Sequence, residues 1–347
     1  MPVTEAFKTK LKLYSQACIV ITFLVVLAIA ARSFIIPLAF SALFAIVLNP
    51  LLRKLEGWGV PRILAIILAM LSFTLILSAL ATYSAYQLNL LMEDLPSIQK
   101  RVVELFDQVL ANLESVLGFE LAERNGSMWK DALKRVAPFF GDFISGTSSA
   151  ATIIVQIPIY IFLILLYKEK FLRFLGEVLT DSSTAHSRVS EVKKVVQGYV
   201  SGLFIVILIL AILNSLGLWI LGIRYALFFG IFSAVLTVIP YLGNFIGGLF
   251  PFLVALVTKD SAWYAVGVIA IYAVVQFLEG NFITPNIMGS KVSVNPLAAL
   301  ISLIIGGQIL GLAGIILAIP LVGIIKTMLS HSETLRPLVI LIEDESS

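Results

Sequence analysis

The chain has 347 residues, of which 59% are apolar and only 13% are charged, about half the charged fraction of a typical soluble domain. With a mean hydropathy of +1.02, the composition predicts a membrane protein. One cysteine and two histidines exclude a disulfide framework and leave no ligand set for structural zinc. The 24 basic and 21 acidic residues form no basic stripe, so nucleic-acid binding has no support.

Long uncharged stretches recur along the chain. A membrane-spanning helix needs roughly 20 apolar residues, so these stretches predict an all-α, polytopic membrane protein with about eight hydrophobic segments and a small extracytoplasmic helical insert. In chain order, the stretches are 13–31, 33–52, 63–92, 143–167, 195–223, 225–258, 261–278 and 292–325.

The pattern of apolar and hydrophilic segments predicts five parts. They are N-terminal membrane helices at 1–92, an extracytoplasmic amphipathic insert at 93–149, a fourth membrane helix with a cytoplasmic amphipathic helix at 150–199, a C-terminal transport core with broken helices at 200–330, and a cytoplasmic tail at 331–347.

Basic residues concentrate in alternate connections, at 8–12, 53–62 and 168–194. Since cytoplasmic loops carry the excess of lysine and arginine, we expect a multi-pass protein of the bacterial inner membrane with both termini in the cytoplasm. The insert then lies outside. Its apolar residues from Ile98 to Val116 recur at helical spacing, which predicts an amphipathic helix that serves either as a packed cap or as a lid over a substrate path.

Two uncharged segments are too long for one helix each. Residues 225–258 and 292–325 each have 34 residues, about 51 Å at 1.5 Å per residue, against a hydrocarbon core of about 30 Å. Non-helical backbone inside a membrane must be buried or line a cavity, and paired breaks point to a transporter's binding site. We therefore expect the two breaks to line one solute or ion pathway. The candidates are Pro240, Tyr241, Gly243, Asn244, Gly247, Gly248, Gly306, Gly307, Gln308 and Gly311.

Helix packing is the alternative role for these glycines, because small residues let membrane helices approach closely. Both interpretations stay open from the sequence.

A carboxylate ends the apolar run 261–278. Glu279 precedes a polar, proline-containing stretch that supplies the further pathway candidates Asn281, Thr284 and Pro285. An ionisable residue inside a membrane suggests a functional site, so Glu279 is a candidate for proton or cation coupling. The alternative is a structural role at the membrane boundary, solvated or paired with Lys291.

The sequence has no nucleotide-binding P-loop and no cluster of catalytic residue types. We therefore expect no enzyme activity, no cofactor, no metal and no nucleotide partner, and any transport is secondary or passive.

The C-terminal third resembles the autoinducer-2 exporter (AI-2E) family of bacterial membrane proteins. The residues that carry the resemblance are 239–243, 276–285 with Gly289, 295–297, and 306–320, together with Asn49-Pro50-Leu51 earlier in the chain. The family often has proline where this chain has Asn244, and lysine where it has Asn286. The resemblance implies export of the quorum-sensing signal autoinducer-2 in some members, sodium/proton antiport in others, and a homo-oligomer for which a pentamer is one candidate.

Three functions follow as expectations. The leading one is a permease that exports a small polar solute such as autoinducer-2. The second is a Na⁺/H⁺ antiporter in which Glu279 titrates. The third, from another class, is a membrane scaffold that transports nothing and binds a partner through its outer cap.

Overall fold

A computed structural model describes residues 19–117 and 149–343, except 21, 24, 179–183, 239–241, 289–293 and 331–335. The described residues are predominantly helical and form no strands, which confirms the predicted fold class. The α-helices are α1 (Arg32–Gly57), α2 (Arg62–Leu117), α3 (Ser149–Val178), α4 (Thr184–Ile220), α5 (Ala226–Leu236), α6 (Leu242–Thr258), α7 (Trp263–Leu278), α8 (Thr284–Met288), α9 (Pro296–Leu310), α10 (Leu312–Ser330) and α11 (Arg336–Ile342).

Within the described part of the chain, five helical stretches are long and apolar enough to cross a membrane. They are Arg32–Gly57, Arg62–Asp94, Lys194–Ile220, Trp263–Met288 and Leu312–Ser330. The shorter apolar helices are Ala226–Leu236, Gly243–Thr258 and Pro296–Leu310. Each of the two long uncharged segments divides into two helices, as the sequence predicts. The three short helices are three of these four pieces, and the fourth is the span Leu312–Ser330.

Tryptophan side chains mark the ends of several spans. Trp58 follows the first span and is 70% exposed, Trp219 lies near the end of the Lys194–Ile220 span, and Trp263 begins the next one. The Lys54 ammonium lies 5.4 Å from the Trp58 ring centroid. Tryptophan and lysine together are typical of the membrane–water interface, so these positions indicate where the bilayer boundary lies.

The helix predicted for the start of the insert is present, but it is not separate from the third hydrophobic segment. Helix α2 runs for 56 residues through Pro96, so its last part continues directly from the membrane span. Residues 118–148, which hold the rest of the predicted insert, lie outside the described residues.

The chain divides into two compact units. The first contains 1–67, 153–200 and 290–347, and the second contains 68–152 and 201–289. In the second unit, Asp94 holds the turn before α5: its carboxylate accepts from Arg224 and from the Tyr225 hydroxyl, each at 2.7 Å. Burial, and then the hydrogen bond to Asp94, raise the pKa of Tyr225 to about 12, so this hydroxyl stays a donor at neutral pH.

In the first unit, Asn295 joins the start of α9 to the C-terminal segment. Its side-chain oxygen caps the helix by accepting from the Ala298 amide at 2.8 Å, while its nitrogen donates to the Leu341 carbonyl at 2.7 Å. Glu343 is held by Lys326 of α10 at 3.0 Å. Asn295 and Pro296, which are among the residues that carry the family resemblance, therefore form the start of a helix, with Pro296 in its first turn.

The second break is a hairpin that turns at one residue. Gly311 separates α9 from α10 and has φ 64° and ψ −144°, a conformation that only glycine adopts readily. Gly306 and Gly314 lie so close that a Cβ on Gly314 would collide with the Gly306 carbonyl oxygen. The irregular stretch is thus much shorter than the sequence predicts, because close packing of the two helices lets both continue almost to the turn.

Replacing Gly311 with alanine should lower the free energy of unfolding by about 1–3 kcal/mol, since the added Cβ strains the backbone at this φ and ψ. The Cβ meets open space at Gly311, so the cost comes from the backbone alone. Gly57→Ala is the matched control, because Gly57 also faces open space but is helical. Denaturant unfolding of the purified protein in detergent measures both, and equal stability of the two variants would contradict the assignment.

Candidate functional site

The first break lies between α5 and α6, in the second unit. Helix α5 ends at Leu236 and α6 begins at Leu242, so Gly243 and Asn244 are in the first turn of a helix and not in irregular backbone. A Cβ on Gly243 would collide with the backbone of Leu236 and Thr237. Gly243 therefore allows the two helices to meet where the chain turns. Pro240 and Tyr241 fall outside the described residues.

The next two glycines of α6 also serve close packing. A Cβ on Gly247 would collide with Ser233 of α5. One on Gly248 would lie 3.2 Å from the ring of Tyr272 in α7. Gly243, Gly247 and Gly248 thus show the packing role that the sequence left open, and they bring α5, α6 and α7 together.

A side-chain hydrogen bond connects the first break to the helix that carries the candidate carboxylate. The Asn244 amide nitrogen donates to the side-chain oxygen of Gln276 in α7. Gln276 lies three residues before Glu279, so the two side chains are neighbours on the helix surface. Gln276 was part of the sequence motif but not among the predicted site residues, and it places Asn244 near Glu279.

Glu279 lies within a span and not at its end. It begins a π-helix, Glu279–Ile283, which continues α7 directly into α8. The helical span Trp263–Met288 thus extends nine residues beyond the carboxylate, about 14 Å at 1.5 Å per residue. The helix therefore does not break at Gly280, and the depth of Glu279 in the membrane stays a prediction.

The wide turn of the π-helix has a local cause. Pro285 in α8 has no amide to donate to the Asn281 carbonyl, and the π-helix ends just before Thr284. The Asn281 side chain donates back to the Phe277 carbonyl at 2.9 Å. Single π-turns inside α-helices are frequent at functional sites. Thr284 is half-buried, while Asn281 and Pro285 are exposed.

The exposed polar groups of this segment need an environment other than lipid. Gln276 and Asn281 are exposed and Asn244 and Glu279 are half-buried, and Gln276 lies about 20 Å along the helix from Trp263. Polar side chains at this depth are stable when they face a water-filled cavity or another protein surface. Lys291, the alternative partner of Glu279, is outside the described residues.

A buried polar network lies beside this chain and was not predicted from the sequence. The Tyr272 hydroxyl is 3.1 Å from the Ser233 Oγ and 3.2 Å from the Gly247 carbonyl oxygen. The Asn214 amide donates to the Ser233 Oγ at 3.2 Å, and the buried Asn214 side-chain oxygen has no hydrogen-bond partner among the described residues. Isolated serine, asparagine and tyrosine residues in apolar helices gave no periodic signal, so only the three-dimensional contacts identify the network.

The remaining candidates belong to the second break, in the first unit. Gly306 packs against Gly314, and Gly311 makes the turn. A Cβ added to Gly307 would lie 3.1 Å from the side chain of Ile315 in α10. Gln308 is exposed. These residues are placed together by the hairpin, whereas their predicted meeting with the first break stays a prediction.

Comparisons with known proteins agree on one group. A family model described as "AI-2E family transporter" matches residues 17–334. The Bacillus subtilis protein YrrI is 27% identical over 327 residues, which cover 88% of each chain. The "AI-2 transport protein TqsA" of Escherichia coli K12 is 23% identical over 322 residues, which cover 90% of each chain.

Tyr272→Phe tests the buried network. Removing the hydroxyl deletes its hydrogen bond to Ser233 or Gly247, and the expected loss of stability is about 1 kcal/mol. Tyr86→Phe is the control, because Tyr86 is 59% exposed. Thermal unfolding of both variants in detergent measures the difference, and a Tyr272→Phe protein as stable as the control would mean that the hydroxyl contributes nothing to the packing of α5, α6 and α7.

Proposed function

We propose that this chain, which belongs to the AI-2E family of transporters, is a secondary transporter or permease of the bacterial inner membrane that moves a small polar solute outward. The hydrogen bond from Asn244 to Gln276, one helical turn before Glu279, is the observation that carries the proposal. It places polar groups inside a span, next to a break in the preceding segment. A bundle that only anchors a protein in lipid gains nothing from this arrangement.

Autoinducer-2 is the leading candidate for the solute, because TqsA is named for its transport and aligns over 90% of this chain. A small polar molecule suits the amides of the site, since asparagine and glutamine side chains each offer both donors and acceptors.

Glu279 supplies the coupling group in this proposal. When the carboxylate is ionised, it accepts from the Gln276 amide nitrogen. When it is protonated, it donates instead, and Gln276 must turn its oxygen toward Glu279 and its nitrogen toward Asn244. The protonation state of Glu279 then determines which atoms Asn244 presents at the first break.

Cation/proton antiport is the second candidate, and the position of Glu279 within a span favours it. Antiport needs a group that exchanges a proton for a cation during each cycle, and a membrane carboxylate is such a group. Export of a neutral solute does not require that exchange, so the two functions differ in their dependence on Glu279.

A scaffold without transport is the third candidate. Its outer cap would be formed by the end of α2 and by the residues that follow. Hairpin breaks in two apolar segments and polar groups in a span count against it. The homo-oligomer, with a pentamer as one size, also belongs to the proposal, as does the orientation with both termini in the cytoplasm.

Glu279→Gln should abolish pH-dependent flux while the protein still folds, because glutamine keeps the volume and the hydrogen-bonding capacity of the side chain but cannot ionise. The purified variant is reconstituted into vesicles, and autoinducer-2 efflux, Na⁺ flux and proton flux are measured separately per folded protein. Glu93→Gln is the control, since Glu93 is an exposed carboxylate near the end of the Arg62–Asp94 span.

The three fluxes distinguish the candidate functions. Autoinducer-2 efflux that responds to pH and is lost in Glu279→Gln supports coupled export, and Na⁺-driven proton flux with no solute efflux supports antiport. Wild-type vesicles without any of these fluxes would favour a scaffold. Unchanged pH dependence in Glu279→Gln would remove this carboxylate from the mechanism.

The orientation is tested by thiol labelling in intact cells. Cys18 is first replaced by serine, and single cysteines are then introduced at Glu114 in α2 or at Arg188 in α4. A membrane-impermeant maleimide should label the first and not the second, because the proposal places the end of α2 outside and the basic connection inside. Labelling of both sites after the cells are opened is the control, and the reverse pattern in intact cells would overturn the orientation.

A further inference from the structure

The turn between α4 and α5 contains a strained residue. Tyr225, which precedes the first residue of α5, has φ 63° and ψ 25°. Among the residues that the structure describes, it is the one residue other than glycine with a positive φ. A bulky side chain is disfavoured in this left-handed region, because its Cβ lies too close to a carbonyl oxygen. Such a residue persists only where the surrounding contacts hold it, and strained residues concentrate at functional sites and switches.

The same turn has a second left-handed residue, and that one is a glycine. Gly222 has φ 63°, and its amide donates to the Trp219 carbonyl at 2.8 Å, as is usual for a glycine that ends a helix. Glycine adopts this conformation at little cost. Position 225 has the same φ but carries a large side chain, which indicates that the tyrosine makes contacts that a glycine could not make.

One carboxylate oxygen holds the strained residue. The Asp94 Oδ2 accepts from the Tyr225 hydroxyl and from the Arg224 guanidinium, each at 2.7 Å. The Arg224 Cζ also lies 5.5 Å from the centroid of the Tyr225 ring. The other edge of this cluster is Phe229, one turn into α5, whose ring meets that of Tyr225 edge-on at 6.3 Å between centroids. Asp94 is the last residue of the span Arg62–Asp94, so its carboxylate joins the end of that span to the start of α5.

Helix α5 extends from this turn to the first break. It has 11 residues, about 16 Å at 1.5 Å per residue, with Tyr225 at one end and the contact of Leu236 with Gly243 at the other. In its middle, Gly230 packs so closely on Ser215 of α4 that an added Cβ would collide with the Ser215 backbone. A short helix in close-packed surroundings shifts as one body and does not deform gradually. The conformation at Tyr225 therefore affects where the last turn of α5 lies.

We propose that Asp94 is a positioning residue, which holds Tyr225 in the left-handed conformation and thereby sets the position of α5 at the first break. Asp94 and α5 both belong to the second unit. Asp94 acts on Asn244 and the neighbouring polar groups through α5. The consequence for flux rests on the transport function proposed above, whereas the effect on the position of α5 does not.

The position of α5 can be measured without a transport assay. In the full-length protein with Cys18→Ser, spin labels are attached to cysteines introduced at Val235 in α5 and Val274 in α7, which are 49% and 57% exposed. Each position lies two residues after a member of the contact between Ser233 and Tyr272, so the labels do not face that contact. Pulsed electron paramagnetic resonance in detergent then gives the distribution of distances between the labels.

Asp94→Ala should add a second, shifted population to this distribution. Without the carboxylate, the ratio of left-handed to relaxed Tyr225 should fall about five- to thirtyfold, the factor that corresponds to the roughly 1–2 kcal/mol cost of the left-handed conformation. An unchanged distribution in Asp94→Ala would overturn the proposal.

Two substitutions of Tyr225 separate positioning from a simple loss of contacts. Tyr225→Gly and Tyr225→Ala both remove the ring and the hydroxyl, but only glycine adopts the left-handed conformation readily. Combined with Asp94→Ala, Tyr225→Gly should restore the wild-type distribution and Tyr225→Ala should not. The same difference is expected with Asp94 intact, so the comparison does not depend on the folding of Asp94→Ala. Identical distributions for the glycine and alanine variants would contradict the positioning role.

Glu104→Ala is the matched control for the loss of an acidic group from α2. It removes an exposed ion pair with Arg101, 3.2 Å long, and should leave the distribution unchanged. A shift as large as that of Asp94→Ala would mean that α5 responds to the charge of α2 in general, which would contradict a specific role of Asp94.

Flux in vesicles then tests the consequence for transport. Asp94→Ala should lower solute flux per folded protein, and the added Tyr225→Gly should raise it again. Wild-type flux in Asp94→Ala despite a shifted α5 would overturn the role of Asp94 at the first break. A shifted α5 in a protein whose wild type has no flux would refute the transport function and leave the effect of Asp94 on α5 in place.

Discussion

The backbone of a membrane segment must find its hydrogen-bond partners within the protein, because the hydrocarbon core offers none. This constraint governs both places where the chain departs from a simple span. At Gly311 one residue turns the chain, and the contact of Gly306 with Gly314 keeps both helices regular almost to the turn. Between α5 and α6, Gly243 packs directly on the backbone of Leu236 and Thr237, so the last turn of one helix covers the first turn of the next.

The glycines that satisfy this constraint also determine where polar side chains can meet. Gly247 brings Ser233 against α6, and Gly248 does the same for the ring of Tyr272. Tyr272 can then reach the Gly247 carbonyl, and one turn later on α7 Gln276 reaches Asn244. Packing and polar chemistry therefore share one helix face, and the choice between a packing and a functional role for these glycines is not exclusive.

The sequence predicted the parts of this fold that depend on composition and length. Uncharged runs gave the membrane segments, and the excess length of 225–258 and 292–325 required two breaks. It did not predict their exact extent, because Gly243 to Gly248 look like helix breakers until the neighbouring helix is present to pack on them. Asp94 and Arg224 are 130 residues apart, so their ion pair leaves no local pattern. The π-helix at Glu279 was not predicted, because the proline-containing stretch after Glu279 is compatible with a break or with a widened turn.

The group beside each carboxylate indicates its role. A carboxylate paired with a cation holds the structure, whereas one beside a neutral group can change charge. Asp94 is bound by Arg224 at 2.7 Å and Glu343 by Lys326 at 3.0 Å, and each pair fixes a turn or a chain end. A cation close to a carboxylate favours its ionised form and opposes protonation. Among the described residues, Glu279 makes no ion pair, and the neutral amide of Gln276 lies one turn before it on the helix. An amide can donate to a carboxylate or accept from a carboxylic acid, so it satisfies both forms. The Gln276 amide is hydrogen bonded to a second amide, that of Asn244 beside the first break, which can also donate or accept. An uncharged neighbour is compatible with either charge state of Glu279, whereas the cations beside Asp94 and Glu343 favour the ionised form of those two carboxylates.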